Sequence, residues 1–191
     1  MSNSAANVSA GKPKVAGAIF SAPAGTTLPT TAAAELNNAF VGLGYVSEDG
    51  VTHTKDITSG QVRAWGGDVV LNYEEGETET YKLTLLESMN IAVLKEIYGQ
   101  DNVTGTTLSS GITVQSKAGS RVARAWVIDE IMKGNVLRRT VIPRGTITAI
   151  GEIVHRDNNA IGYQITISAE ADDAGFQHYE YMQNATAQSG S

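Results

Sequence analysis

The sharpest pattern in the chain is an alternation near its C-terminal end. Ile161, Tyr163, Ile165, Ile167 and Ala169 alternate with Gly162, Gln164, Thr166, Ser168 and Glu170. A period of two places the first set on one face of a pleated strand and the second on the other. The same alternation runs through 78–87, with Tyr81, Leu83 and Leu85 opposite Thr80, Lys82 and Thr84. The period then changes. Met89, Val93 and Ile97 repeat every fourth position with Leu94 and Tyr98 alongside, which predicts a helix over about 88–98, capped by Ser88 and stopped by Gly99. Leu36 and Phe40 share that spacing and predict a short helix over about 31–41, started by Thr30 or Thr31 and ended by Gly42 and Gly44.

Punctuation fills in the rest. Ser47-Glu48-Asp49-Gly50 is a tight-turn sequence, from which 51–58 returns antiparallel. Gly66-Gly67 between 61–65 and 68–73 predicts a hairpin, and Glu74-Glu75-Gly76-Glu77 a further turn. Beyond Thr107 the pattern is all strand: 107–116, 121–132, 136–142, 146–155, 161–171 and 176–182, divided by Lys133-Gly134-Asn135, Arg144-Gly145 and Asp157-Asn158-Asn159. Many short, regularly spaced strands with few helices predict a mainly β sandwich or barrel. The polar stretches 1–14 and 183–191 read as flexible arms around one domain over 15–182.

Composition narrows the function classes. Hydrophobic residues at 41% are enough for a core, and the 20 glycines favour turns and strands over long helices. No apolar run is long enough for a membrane helix, and 1–14 has no apolar signal region. The absence of cysteine excludes disulfides, thiolate metal sites and a cysteine nucleophile. A net charge of −6 with scattered Lys and Arg argues against tight nucleic-acid binding.

Candidate chemistry is sparse. His53, His155 and His178 lack metal-ligand spacing and read as exposed strand or loop residues. Gly42-Leu43-Gly44 follows a helix and leads into a strand, the wrong order for a phosphate loop. Asp172-Asp173 and the 74–77 acids lack the oxygen spacing of a calcium loop and read as solvated turns. No Gly-x-Ser-x-Gly elbow is present. Trp65 has two readings, a core residue closing a hairpin or an aromatic anchor on a loop that packs against a neighbour. Trp126, mid-strand, reads as core.

Several segments in order carry a resemblance: Ala22-Pro23, Gly25-Thr26-Thr27-Leu28-Pro29, Leu43-Gly44-Tyr45-Val46-Ser47-Glu48-Asp49-Gly50-Val51, Trp65-Gly66-Gly67-Asp68, and Ala92-Val93-Leu94-Lys95 leading to Tyr98-Gly99. The chain resembles the major tail proteins, or tail tube proteins, of long-tailed bacteriophages. The resemblance implies a β-sandwich partly rolled into a barrel with a flanking helix. It implies six-membered rings stacked into a tube that delivers the genome to the host, made in the bacterial cytoplasm and located in the virion tail. Implied partners are the chain itself, tape-measure, tail-tip and tail-terminator proteins, and double-stranded DNA in passage without specific binding. No enzyme activity, cofactor or metal is expected. Trp65, Gly66, Gly67 and Asp68, grouped with Ser47, Glu48, Asp49 and Gly50, are expected to touch a neighbouring subunit or ring. Gln164, Thr166, Ser168 and Glu170 are expected to face the lumen. A terminator or head–tail connector that stops at one ring, and a carbohydrate-binding sandwich, are the rival readings.

Overall fold

The computed structural model describes residues 8–14, 17–119, 121–158 and 160–185. Its strands are β1 (Gly11–Pro13), β2 (Ile19–Pro23), β3 (Val41–Gly42), β4 (Val46–Arg63), β5 (Val69–Leu85), β6 (Val103–Thr104), β7 (Thr113–Val114), β8 (Arg124–Met132), β9 (Val136–Ile150), β10 (Tyr163–Glu170) and β11 (Tyr179–Asn184). The single α-helix among the described residues, α1, spans Ile91–Tyr98. A nine-stranded sheet runs β3-β2-β8-β9-β10-β5-β4, with β1 on β8 and β11 on β9; β6 and β7 form a separate pair. The fold is mainly β and sandwich-like, and the sheet does not close into the expected barrel.

Alternation builds the core as the sequence predicts. Tyr163, Ile165, Ile167 and Ala169 of β10 are buried, as are Tyr81, Leu83 and Leu85 of β5, and the two strands pair in register from Tyr163–Leu85 to Ala169–Glu79. Both rows pack into one cluster with Ile19, Trp126, Ile128, Ile142 and Ile147. Helix α1 covers that cluster through Val93, Leu94 and Ile97. Its cap lies two residues later than predicted, at Asn90 rather than Ser88: Asn90 Oδ1 accepts from the Ala92 N–H at 2.9 Å. Gly99, at φ 102°, ends it as expected.

Several predicted turns and one helix are something else. The segment 31–41 forms turns rather than a helix and is tied to β9: Arg139 Nη1 donates to the Ala34 oxygen at 2.7 Å and to the Thr31 oxygen at 3.2 Å, while Thr31 Oγ1 accepts from the Ala34 N–H. Ser47 to Gly50 is not a chain reversal. It is a bulge inside β4, where Val46 pairs with Leu85 and Val51 with Leu83. Gly50 does hold the positive φ expected of it, 68°. Glu74 to Glu77 likewise lies within β5, next to a second register shift between Thr58 and Ser59. The strand β9 passes straight through Arg144-Gly145. Gly145 is needed for space: a Cβ there would lie 2.8 Å from Trp126 Cδ1 and 2.7 Å from Ile167 Cγ2. Residues 107–116 keep little strand, only a 3₁₀ turn at Leu108–Ser110 and the short β7. The Lys133-Gly134-Asn135 turn is as predicted, with Gly134 and Asn135 both at positive φ. At the ends, Gly11–Pro13 pairs with Met132–Glu130, and β11 extends to Asn184; residues 1–7 and 186–191 of the expected arms lie outside the described residues.

Candidate assembly surfaces

The hairpin of β4 and β5 dominates the surface. Near the core the pair is half-buried: Val51 lies opposite Leu83 and His53 opposite Tyr81. Beyond Lys55–Glu79 the same two strands continue, exposed on both faces, to Arg63 and Val69. At about 3.3 Å per residue this outer stretch reaches roughly 25 Å from the body. Ala64 to Asp68 closes it as the two-glycine signal predicts: the Gly67 N–H donates to the Ala64 oxygen at 3.0 Å, with Gly66 and Gly67 at φ 138° and 99°. Arg63 fastens the tip, donating from Nη1 to the Gly67 oxygen at 2.9 Å and from Nη2 to Gln61 Oε1 at 3.0 Å.

The arm mixes exposed polar residues such as Asp56, Gln61, Asn72 and Glu74 with large apolar ones. Ile57, Val62, Val69, Val70, Leu71 and Tyr73 are exposed, and Trp65 at the tip has no cover at all (107% relative exposure). Val62 faces Leu71 across the pair, and Gly60 faces Tyr73 one step in. A Cβ on Gly60 would lie 2.5 Å from Tyr73 Cζ, so the glycine lets that ring lie across the ladder. The core reading of Trp65 is therefore excluded; the residue stands on a projecting loop. Ser47, Glu48, Asp49 and Gly50 sit at the opposite, inner end of β4, and the structure does not bring them together with Trp65 to Asp68. Ser47, Glu48 and Gly50 border a different feature, a groove of about 660 Å³ lined also by Tyr45, Val46, Val51, Ile128 and Pro13 beside Glu130.

The second surface is the outer face of β10. Gln164 and Glu170 are exposed and Thr166 and Ser168 half-exposed, opposite the buried row. Neighbouring strands extend the face with small polar groups. Thr84, Lys82 and Thr80 of β5 lie beside Gln164, Thr166 and Ser168, and Ala149, Thr146 and Arg144 of β9 lie beside Thr166, Ser168 and Glu170. Glu170 accepts from Thr146 Oγ1 at 2.8 Å and pairs with Arg144 Nη2 at 3.6 Å, so one of the face's two cations is already matched.

Behind these surfaces lie polar contacts that the sequence did not announce. Asp129 and Arg139, both nearly inaccessible, form a two-pronged pair at 2.6 and 2.7 Å. Glu96 of α1 is held by Arg124 Nε at 2.7 Å, by Ser21 Oγ at 2.8 Å and by Gln100. Burial pushes the Glu96 carboxyl up, against the opposing pull of Arg124. At the root of the arm, Glu79 is buried with Lys55 on one oxygen and with His53 and His178 on the other. Two of the three histidines expected at exposed positions thus converge, while His155 lies exposed in the 151–158 segment. Asp172, read as part of a solvated turn, caps that turn by accepting from the Ala174 and Phe176 N–H groups. The signal for the arm was present in Val69-Val70-Leu71, an apolar run without core-type alternation; the histidine cluster has no local signal, since its members are far apart in sequence.

A protein-family model described as Phage tail tube protein matches residues 2–191. No curated protein matches the chain.

Proposed function

Because the chain belongs to the phage tail tube protein family, whose members are structural components of the virion tail, we propose that it closes into hexameric rings that stack into the tube through which the genome leaves the virion. The exposed arm carries this reading. A hairpin with both faces in water is marginal on its own, and an uncovered strand pair bearing large apolar residues at a sheet end invites association. A second copy of the chain is the occupant that satisfies both. Contact between unlike surfaces of identical chains closes into a ring when the rotation divides the circle, and stacking on another face makes a filament.

In this reading Trp65, Gly66, Gly67 and Asp68 reach the neighbouring subunit or ring, with Trp65 as the buried aromatic anchor. Ser47, Glu48, Asp49 and Gly50 form a separate contact at the inner end of β4. Gln164, Thr166, Ser168 and Glu170 face the lumen, where hydroxyls and amides let phosphate pass without being gripped. Tape-measure, tail-tip and terminator proteins are the further partners, and the chain is made in the host cytoplasm before assembly.

Negative-stain electron microscopy of the purified chain, alone and with tail-tip components, tests the reading. Six-fold rings and tubes with a central hole are expected, and Trp65→Ala is expected to leave a folded subunit that no longer stacks. Persistent single rings would instead favour a terminator or connector, and normal tubes from Trp65→Ala would remove the arm tip from the contact.

A further inference from the structure

The root of the arm contains a group of side chains that the assembly reading does not use. Glu79 leaves only 3% of its side chain exposed, at the point where β5 passes from the core into the arm. Its Oε2 atom lies 2.6 Å from His178 Nδ1 and 3.3 Å from His53 Nε2. The three ligand atoms fall within 4.8 Å of one another. We propose that His53, Glu79 and His178 form a binding site for a zinc-class divalent transition-metal ion, which fastens the root of the β4–β5 arm to the start of β11.

The donor set fits this class of ion. Two imidazole nitrogens and one carboxylate oxygen suit a borderline dication in a tetrahedral site, with the fourth position left to water. Hard cations such as magnesium or calcium favour all-oxygen sets instead. Bond lengths of about 2.0–2.2 Å to nitrogen and oxygen place tetrahedral ligands roughly 3.3 Å apart. The His53–Glu79 separation already has that value, and the others need side-chain movements of about an ångström.

The ligands are held by their surroundings. The His53 ring stacks flat on Tyr81, with centroids 4.3 Å apart and planes 6° from parallel. The His178 ring stands edge-on to His53 at 5.3 Å and to Tyr81 at 6.2 Å. Rotamers fixed in this way lower the ordering cost of binding. His53 and His178 keep 28% and 19% of their side chains exposed, which gives an ion a route in.

The second oxygen of Glu79 has its own partner. Lys55 Nζ donates to Oε1 at 2.7 Å and to Glu77 Oε1 at 2.6 Å. This leaves Oε2 as the ligand atom and orients the carboxylate in the manner of an outer-shell partner. With neutral imidazoles, Glu77 and Glu79 against Lys55 leave one net negative charge, so a dication is attracted despite the ammonium. Binding requires His53 Nε2 and His178 Nδ1 to be unprotonated, with the ring proton of each neutral imidazole on its other nitrogen. The ion would tie together three segments remote in sequence: β4, β5 and the residue preceding β11.

The test uses the full chain, free of any affinity tag and stripped with chelator. Zinc is titrated in by calorimetry, and the histidine side-chain nitrogens are followed by NMR. One ion per chain is expected, with shifts at His53 Nε2 and His178 Nδ1 and none at His155. His53→Gln and His178→Gln should each weaken binding by more than the roughly 10–100-fold that losing an outer-shell partner brings, while His155→Gln should leave it unchanged. The thermal midpoint of the wild type should rise with zinc. Failure of the wild type to take up a stoichiometric ion overturns the site, as does a loss in His155→Gln equal to that in the other two. The NMR reading needs no variant, so it decides the matter even where a substitution impairs folding.

Discussion

At the residue scale, Arg139 matters most to the fold. It is 2% exposed, grips both oxygens of Asp129 and donates to the Thr31 and Ala34 carbonyls. One side chain therefore joins β9 to β8 and sets the path of 31–34. Arg139→Ala leaves a buried carboxylate and two carbonyls without this donor, a loss on the order of 3–5 kcal/mol. Urea denaturation should show the unfolding free energy fall by that amount, and the double substitution Asp129→Leu with Arg139→Leu should recover part of it, because no buried charge is then left unpaired; Lys14, 3.7 Å from Asp129 Oδ2, reaches solvent. A double variant as unstable as Arg139→Ala would mean that the two carbonyl contacts, not the ion pair, dominate. The same residue marks where local reading stops. The four-residue spacing of Leu36 and Phe40 is a helical period, yet the segment takes turns docked on an arginine more than a hundred residues away along the chain, a contact with no local signal. Gly145 shows the complementary error. A glycine signals a turn in sequence, but here the strand needs it for the Trp126 indole, whose Nε1 donates to the Gly145 oxygen at 2.9 Å.

At the scale of elements, period-two and four-residue patterns were legible wherever an element packs on the core: β5, β10 and α1 lie where their apolar spacing puts them. The arm was half legible. Gly66-Gly67 marked its tip, but the acidic 74–77 segment resembled a turn because a strand outside the core has no buried face to impose alternation; the polar 47–50 segment, at the inner end of β4, resembled one because it bulges out of the ladder. The arm's independence from the core gives a prediction. Gln61 and Asn72 lie opposite each other, so joining them through Asn-Gly removes the outer end of the arm, Val62 to Leu71, and restores a two-residue hairpin. The shortened chain should melt within the few degrees that about 1 kcal/mol represents, because little buried surface is lost, and it should form no tubes. A large fall in melting temperature would place the outer arm in the stability of the single chain. The β10–β11 turn offers a pH test. Asp172 is held below the usual carboxylate range by the Tyr179 hydroxyl, 2.6 Å from Oδ2, and by the Phe176 N–H, against a smaller effect of desolvation. The Tyr179 phenol is in turn pushed up to about 12, first by that hydrogen bond. A depressed carboxyl stabilises the turn above its unfolded value and is lost as pH falls through the folded one. A raised phenol stabilises it below its unfolded value and is lost as pH rises through about 12. NMR should find Asp172 titrating below the usual carboxylate range, and Tyr179→Phe should move it upward; an unmoved Asp172 in that variant would mean the backbone donors alone depress it.

At the scale of the whole molecule, the charge of −6 and the polar face of β10 belong to one argument. DNA moving through a tube meets whatever lines it, and each lysine or arginine that reaches a phosphate adds a counterion-release term that holds the strand. Among the residues paired along this face, Thr80, Thr84, Thr146, Gln164, Thr166 and Ser168 carry no charge, Arg144 is matched by Glu170, and Lys82 is the remaining cation. Placing Thr166→Lys together with Ser168→Lys on this face touches neither the core nor the arm, so the subunit should fold and, in the proposed arrangement, still form tubes. If β10 lines the channel, phage carrying the pair should eject DNA slowly at low salt, with the rate recovering as ionic strength rises, because the added contacts are screened and the counterion term weakens. Slow ejection that salt does not restore would point to a distorted tube rather than to gripped phosphate. Unchanged ejection from intact tubes would move the lumen to another face of the sheet.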